Sequence, residues 1–378
     1  MKLLVQPDNG IKPILDALRK AKKSIRILIF RFDRVEIEKA LVAAVGRGVT
    51  VQALIAHTNQ GEEKNLRRLE MRLLAEGVTV TRTAGELVRY HGKMFIIDDK
   101  VLHLLGFNFT HMDIDLSRSL GIVTSKASVV KEAIRLFDCD SRRRPYENAK
   151  GDLVVSPVNA RKQLTNFIAG TKKRLLIYEM KISDRDFLKL LQKKISAGAE
   201  VRVLSRASDK GGDIPVRRLP SRLHLRAILR DGNTAFLGSQ SLRKLELEAR
   251  REIGLIFRDK KIVKQMEAVF EKDWKRSEPV VEDTKLASAL VVPAKKVAKE
   301  VARQISIKPV LEQVLDKVID TKDSTPFEPE EVAQTVREAF HDEVQGAVQE
   351  ALKDVVVSAA MDEEAEPAEK TNRRAGDK

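Results

Sequence analysis

The chain has 378 residues, of which 43% are hydrophobic, 33% charged and 4% aromatic. This composition excludes a collagen-like or wholly disordered chain, and the length predicts two packed units or one domain built from two halves. The single cysteine, Cys139, excludes an intramolecular disulfide framework and any zinc site that needs two thiolates.

The positive charge is concentrated before the last quarter of the chain. The whole sequence contains 70 Lys and Arg against 55 Asp and Glu, but 279–378 contains 14 against 21, so the residues before 279 carry a net charge of +22. A field of this sign concentrates anions near the surface. We therefore expect an anionic partner, either a phospholipid headgroup phosphate or a nucleic acid, and peripheral contact of the basic body with a membrane.

The N-terminus does not have the pattern of a signal peptide. No stretch reaches the roughly 18 uninterrupted apolar residues that a spanning helix needs. The sequence therefore predicts a cytoplasmic protein that can dock at the inner membrane surface.

Strands and helices alternate along the first part of the chain. Apolar periodicity and the positions of glycine and β-branched residues predict two helices, two strands, then three further strands and a closing helix. In chain order these are helix 12–22, strand 25–32, helix 37–47, strand 49–56, strands 94–98, 101–106 and 120–124, and helix 129–137. Such alternation predicts an α/β fold with helices covering both faces of a sheet.

The chain repeats itself. Residues 5–55 align with 155–205 without a gap at an offset of 150, and the offset then falls to 133, which pairs His91 with His224. The second half is therefore 17 residues shorter, and we assign the loss to the predicted helix at 65–77. A repeat of this kind predicts two similar α/β halves related by a pseudo-two-fold axis, with equivalent loops meeting at the seam.

Four segments follow from this organisation. The two halves are predicted at 1–150 and 151–278, and two Ala-, Val-, Glu- and Lys-rich stretches predict an accessory helical module at 279–361. The acidic segment 362–378 is predicted to be disordered. The helical module suits self-association, packing on the protein's own body or docking on a membrane surface, and the sequence leaves these three open.

Two copies of the pattern His-x-(Lys/Arg)-x4-Asp occupy equivalent positions of the repeat. They consist of His91, Lys93 and Asp98 in the first half, and of His224, Arg226 and Asp231 in the second. Because alternate residues of a strand face the same side, the His and the cation of each copy point to one place. A neutral imidazole can attack phosphorus, a fixed cation stabilises the charge on the phosphoryl oxygens, and a second imidazole can protonate the leaving oxygen. The sequence predicts phosphodiester cleavage without a metal or another cofactor.

These residues resemble the phospholipase D superfamily, whose members carry two such motifs across a pseudo-two-fold seam and work through a phosphohistidine. The resemblance covers about 1–276 and includes the segment SPVNAR that opens the second half. Bacterial phospholipase D and relatives of cardiolipin synthase are the nearest branches.

The resemblance implies a role for each motif residue. His91 is the expected nucleophile and His224 the general acid and base, while Lys93 and Arg226 clamp the phosphate. The remaining catalytic-motif residues, expected to support the architecture of the site, are Asp98 and Asp231.

Four further residues are implied to bind the substrate or to assist it. They are Asn108, Ser239, Ser241 and Glu252. Relatives keep a carboxylate at the position of Glu252 to orient a histidine, and Ser119 occupies the equivalent position of the first half. The expectation is therefore that His91 lacks an orienting carboxylate unless Asp113 or Asp115 supplies one.

The expected function is a phospholipase D-type phosphodiesterase that hydrolyses or transfers the phosphatidyl group of a phospholipid. A metal-independent nuclease is the alternative, because the basic body suits DNA as well as lipid. A weakly active phosphate-binding scaffold is the second alternative, because Arg226 and Ser119 depart from the family pattern.

Overall fold

A computed structural model describes most of the chain up to residue 279. The described ranges are 1–57, 63–83, 85, 87–147, 149–205 and 214–279, with the backbone alone at 63 and 64. The chain divides into two compact units, Met1–Glu282 and Asp283–Lys378. The predicted helical module and acidic tail lie outside the described residues.

The first half begins with a strand and then follows the predicted alternation of helices and strands. Its elements are β1 (Lys2–Gln6), α1 (Lys12–Lys20), β2 (Ser24–Ile29), α2 (Val35–Gly46), β3 (Thr50–Ile55), α3 (Glu63–Ala75), β4 (Thr79–Arg82), β5 (Arg89–Tyr90), β6 (Met94–Ile97), β7 (Val101–Leu105), α4 (His111–Asp115), β8 (Ser117–Thr124) and α5 (Ala127–Ser141). Each element of the sequence-based prediction is present, with ends that differ by up to four residues.

The second half has a similar succession without a counterpart of α3 among the described residues. Its elements are β9 (Leu153–Val155), α6 (Ala160–Ala169), β10 (Arg174–Tyr178), α7 (Arg185–Ser196), β11 (Glu200–Leu204), β12 (Val216–Arg218), β13 (Arg222–Leu223), β14 (Arg226–Arg230), β15 (Thr234–Gly238), α8 (Lys244–Glu248), β16 (Arg250–Arg251), β17 (Ile253–Phe257), α9 (Lys260–Arg276) and β18 (Glu278–Pro279). The predicted loss of a helix falls in the connection between β11 and β12, of which 206–213 lie outside the described residues.

Two mixed sheets form the framework, and their strand orders are the same. The first sheet has the order β1-β8-β7-β6-β2-β3-β4, and the second has the order β9-β17-β15-β14-β10-β11-β12 with β18 added at the edge. In each sheet two neighbouring pairs are parallel, β2–β3 and β3–β4 in the first and β10–β11 and β11–β12 in the second. The predicted α/β fold of two similar halves is confirmed.

One apolar cluster is shared by the two halves, and each half has a further cluster of its own. A cluster of buried side chains draws on strands of both sheets and on helices α5 and α9. Phe137 of α5 and Phe270 of α9, which the offset of 133 makes equivalent, are both buried in it. Because this shared cluster ties the halves together, loops of one half are fixed against the other.

Helix α9 begins after Asp259. The Asp259 side chain accepts the backbone N–H of Ile262, which is a common helix N-cap.

Candidate active site

Two short ribbons cross the seam between the halves and carry the two motif histidines. Strand β5, which precedes His91, pairs parallel with β16 of the second half, and β13, which precedes His224, pairs parallel with β8 of the first half. The His91 backbone N–H donates to the Arg251 carbonyl at 2.8 Å, and that of His224 to the Arg118 carbonyl at 3.1 Å. Each motif is thus held by backbone of the opposite half.

Gly92 allows the first motif to approach the second half closely. A Cβ at this position would lie 2.4 Å from Cδ1 and 2.7 Å from Cγ1 of Ile253. The second motif has Leu225 at the equivalent position, and that side chain is fully buried. The two motifs therefore differ in how tightly their strands sit against the neighbouring half.

His91 lies between a carboxylate and an amine. Its Nδ1 is 2.9 Å from Oε2 of Glu252, and its Nε2 is 2.7 Å from Nζ of Lys93. An ionised carboxylate can only accept a hydrogen bond, so Glu252 places the ring proton on Nδ1. The lone pair of Nε2 then faces Lys93, and Nε2 is the atom available as a nucleophile.

Glu252 acts on the histidine of the other half. The sequence-based expectation that His91 lacks an orienting carboxylate is wrong, because the parallel pairing of β5 with β16 brings the residue after β16 beside His91. Glu252 contacts an imidazole, as the resemblance implies for a carboxylate at its position, and the ring that it contacts is that of His91. Ser119, its equivalent, is buried without a hydrogen-bond partner for its hydroxyl among the described residues.

His224 has different neighbours from those of His91. Its Nδ1 accepts from Nη2 of Arg222 at 3.3 Å, and its Nε2 lies 3.6 Å from Oδ2 of Asp113. Because a guanidinium can only donate, the neutral His224 ring carries its proton on Nε2. One histidine is therefore backed by a carboxylate and the other by a cation.

Two carboxylates brace the residues predicted to contact phosphate. Asp113 accepts the backbone and side-chain N–H groups of Asn108 at 2.9 and 2.7 Å, and Glu246 accepts the backbone N–H of Ser241 at 2.9 Å. The sequence-based reasoning missed Glu246 and placed Asp113 near the wrong histidine. The offset of 133, which makes these two carboxylates equivalent, was the signal that could have found them.

Arg226, which is also predicted to contact phosphate, has an N–H group that donates no hydrogen bond within the described residues. Its Nε donates to the Ser241 hydroxyl at 3.0 Å, while its Nη1 is buried and has no hydrogen-bond partner in the described chain. Nε2 of His224 and Oδ1 of Asn108 are likewise buried and unpartnered among those residues. Buried polar atoms are normally hydrogen-bonded, so these three atoms are available to hydrogen-bond a polar ligand.

Electrostatic effects show that the two motifs converge. Burial lowers the pKa of His91 and of His224 well below its usual range, and Lys93 and Arg226 contribute to the lowering at both rings. Asp113 opposes the lowering of the pKa of His224. Burial also lowers the pKa of Lys93 well below its usual range. Neutral imidazoles beside the side chains of Lys93 and Arg226 are suited to an anionic ligand.

The buried carboxylates of the site fall into two groups. Burial and the charge of Glu246 raise the pKa of Glu252 to about 7. Burial raises the pKa of Glu179, at the end of β10, to about 7, and Arg226 limits that rise. In contrast, although burial opposes its ionisation, Arg250 and Arg243 lower the pKa of Glu246 to about 2. Glu252 and Glu179 are therefore the carboxyls of the site that titrate near neutral pH.

Three predicted site residues lie elsewhere or do something else. The carboxylates of Asp98 and Asp231 accept the backbone N–H groups of 22–24 and of 172–174 at 2.6–3.1 Å, at the ends of β6 and β14 away from the histidines. They fasten turns and do not belong to the reacting centre. The Ser239 hydroxyl accepts the backbone N–H of Ile253 at 3.0 Å, and its hydrogen bond to Glu252 limits the rise in the pKa of that carboxyl.

Neither a metal cluster nor a membrane span is found in the described ranges. No group of three or more His, Cys, Asp or Glu side chains there could hold a metal ion. No helix of that part combines the length and apolar composition that crossing a membrane requires.

Comparisons with known proteins agree with this geometry. The family model described as cardiolipin synthase, PLD-like domain, matches 14–141 and 210–274, which include both motifs. No curated protein matches the sequence.

Two solved structures share the fold. Polyphosphate kinase from Porphyromonas gingivalis has a TM-score of 0.64 and 18% identity over 79% of this chain, which spans 53% of the kinase. Phosphatidylserine synthase from Haemophilus influenzae Rd KW20 has a TM-score of 0.59 and 13% identity over 82% of this chain and 94% of the synthase. At these identities the likeness concerns the fold alone.

Proposed function

Because the chain belongs to the phospholipase D superfamily, we propose that it is a phosphodiesterase or phosphatidyltransferase acting through a phosphohistidine on His91. The observation that carries this assignment is the contact of His91 with Glu252 and Lys93. It leaves Nε2 unprotonated, and a neutral imidazole flanked by a cation has the properties of a nucleophile toward phosphorus.

In the first step Nε2 of His91 attacks the phosphorus and a P–N bond forms. Lys93 and Arg226 neutralise the charge on the phosphoryl oxygens. The bond from phosphorus to the leaving oxygen breaks, and that oxygen takes a proton from His224. The negative charge of the bound phosphate, together with Asp113, raises the pKa of His224 and so favours the protonated ring.

In the second step His224, which gave up a proton in the first step, acts as a base. It removes a proton from water or an alcohol, whose oxygen attacks the phosphorus while the P–N bond breaks. Water gives hydrolysis and an alcohol gives transfer. Glu252 stabilises the positive charge that His91 carries while it is bonded to phosphorus, because its carboxylate accepts from Nδ1 at 2.9 Å.

We assign a phospholipid as the substrate class, supported by the match to the cardiolipin synthase domain. The net charge of +22 before residue 279 supports peripheral contact with an anionic membrane, and it equally supports a nuclease as the second candidate. Incubation in EDTA with phosphatidylglycerol vesicles and, separately, with plasmid DNA distinguishes the two. Turnover of DNA with intact lipid would replace our assignment by the nuclease.

The covalent step is tested with a p-nitrophenyl phosphodiester, whose leaving group needs no proton. In His224→Ala this substrate should release about one equivalent of nitrophenolate and leave an adduct, because no base activates water. Rapid denaturation and mass spectrometry should locate the adduct on His91, and His91→Ala should form none. An adduct on His224 in Glu252→Gln or the wild type would reverse the two roles.

A further inference from the structure

A basic groove lies in the second half, away from the histidines. Its defining residues are the five cations Lys172, Lys173, Arg230, Arg258 and Lys260, which line a cavity of about 580 Å³ together with Gly170, Asp231, Asn233 and Thr234. A second cavity of about 430 Å³ adjoins it and shares Arg230, Thr234 and Arg258. Volumes of this size are typical of small-molecule sites.

The groove is separate from the candidate active site. Strand β14 begins at Arg226, which presents its free donor among the active-site residues, and ends at Arg230, which lines the groove. Four residues of extended chain separate the two by about 13 Å. A ligand in the groove is therefore bound beyond the reach of the histidines.

The cations of the groove stand on two rims and at its centre. Lys172 and Lys173 follow α6, whereas Arg258 and Lys260 lie at the start of α9. Between them the Arg230 guanidinium is fixed, because Nη1 donates to the Phe167 carbonyl at 2.8 Å and the group lies 4.7 Å from the centre of the Phe167 ring. A fixed guanidinium retains further N–H donors for a phosphate.

The acidic side chains around the groove are engaged elsewhere. The Asp231 carboxylate accepts three backbone N–H groups, and Asp152 pairs with Lys126 at 2.7 Å. Glu267 pairs with Arg174 at 2.7 Å, and Asp259 caps α9. Asp231 is the one carboxylate that the lining contains, and its charge acts on Arg230, so five cations against one carboxylate leave the lining with an excess of positive charge.

The repeat provides an internal comparison. Lys172 and Lys173 have the equivalents Lys22 and Lys23 in the first half, but the equivalents of the other three cations are apolar or uncharged. Ile97, Ser125 and Ala127 occupy the positions of Arg230, Arg258 and Lys260. The same backbone framework therefore exists without these cations, and the fold does not require them.

We propose that the basic groove binds a soluble anion with two or more phosphate groups. Exposed cations attract a single charge only weakly in water. An anion that reaches both rims is therefore attracted most strongly, because it interacts with all five cations of the groove. A membrane that presents a phosphate to the catalytic end of β14 does not also face the groove at the other end. This position favours a soluble ligand over a lipid headgroup.

The test uses isothermal titration calorimetry of the full-length chain with sodium tripolyphosphate, orthophosphate and phosphatidylglycerol vesicles. Arg258→Ser combined with Lys260→Ala installs the residues of the first half, so the fold should be retained. We expect tripolyphosphate to bind at least about tenfold more weakly to this variant. The matched control, Lys189→Ala with Lys193→Ala, removes two exposed lysines from α7 and should change binding less than twofold.

The candidate active site also attracts phosphate, so each titration is repeated in a Lys93→Ala, Arg226→Ala background. In otherwise wild-type protein the groove variant should lose one of two tripolyphosphate sites. Equal weakening in the groove and control variants would show diffuse charge attraction and overturn the proposal. Unchanged affinity in the groove variant, equal affinity for orthophosphate, or groove-dependent binding of vesicles without tripolyphosphate binding would each overturn it as well.

Discussion

Oε2 of Glu252 lies 2.9 Å from Nδ1 of His91, although the two residues belong to different halves of the repeat. The histidine of the first half is therefore supported by a carboxylate from the second. The reverse contact is missing, because the equivalent of Glu252 is Ser119. The two halves have similar frameworks, but the two histidines of the site that they form have different neighbours.

Glu252→Gln should lower kcat by about 10²-fold or more while leaving the fold intact. The amide cannot stabilise a positive charge on His91, and it can turn its NH₂ toward Nδ1 and place the proton on the wrong nitrogen. Steady-state kinetics with a phosphodiester substrate measure the effect. Ser119→Ala is the matched control at the equivalent position and should keep kcat within about threefold. Equal losses in both variants would contradict the assigned asymmetry.

The rate should depend on the ionisation of Glu252. Burial raises the pKa of Glu252 to about 7, so the carboxylate that supports His91 is lost as the pH falls through 7. We expect kcat to decline on the acid side with an apparent pKa near 7. The Glu252→Gln variant should be flat over the same range, and a pH–rate profile from pH 5.5 to 8.5 compares the two. An unchanged acid limb in the variant would assign the ionisation to another group.

Glu179 should make the protein less stable as the pH rises. Its folded-state pKa of about 7 exceeds the ordinary value of 4.5, so between these values the folded chain holds a proton that the unfolded chain has lost. Stability then falls with increasing pH, by about 3 kcal/mol for this group when the transition is complete. Urea unfolding of Glu179→Gln at pH 5 and pH 8 should show a smaller decrease than the wild type. Glu36→Gln, at an exposed site, should retain the full decrease.

The cations of the two motifs should tolerate exchange unequally. Lys93 is 1% exposed and is packed against His91 and the Phe30 ring, so the larger Lys93→Arg side chain must displace the imidazole. Arg226→Lys loses the bond to Ser241 but keeps a charge in a space made for a larger group. We expect Lys93→Arg to lower kcat more than about 100-fold and Arg226→Lys less than about tenfold. A larger loss of kcat in Arg226→Lys than in Lys93→Arg would show that Arg226 holds the phosphate through two N–H groups of its guanidinium.

Asp98→Asn and Asp231→Asn should affect stability more than catalysis. Each carboxylate accepts the backbone N–H groups of three consecutive residues, and an amide oxygen replaces these charge-assisted bonds only in part. Each variant should lose about 1–3 kcal/mol of unfolding free energy. At a temperature where the variant is folded, kcat should stay within about threefold of the wild type. A large fall in kcat without loss of stability would show that these two aspartates take part in the reaction.

The sequence predicts much of the fold because the repeat and the alternation of apolar residues are local signals. The two motif histidines and their cations can be predicted for the same reason, because residues two positions apart in a strand, as in His-x-(Lys/Arg), point to the same side. The partner of each histidine is not local. It depends on the pairing of β5 with β16 and of β13 with β8, and two-residue strands leave no periodicity to detect.

The roles of the motif aspartates were obscured for a related reason. Spacing places Asp98 on the same strand as His91, but only the observed turn shows that its carboxylate points back to the amides of 22–24. Glu179 was missed because its equivalent in the repeat is Ile29, so the pattern indicated an apolar core position. Departures between the two halves are therefore as informative as their agreements.

Gly92→Ala should displace His91 through its contact with Ile253. The added Cβ would lie 2.4 Å from Cδ1 of Ile253, a buried side chain that has little room to move. We expect kcat to fall at least about tenfold, because a shift of about 1 Å at a nucleophile is costly. Ile253→Ala removes both clashing atoms at the expense of a cavity of its own. If the clash is the cause, the Gly92→Ala, Ile253→Ala double variant should be more stable than the sum of the single losses predicts, with a coupling of at least about 1 kcal/mol. Strictly additive losses would instead show that the contact with Ile253 is not the cause of the loss.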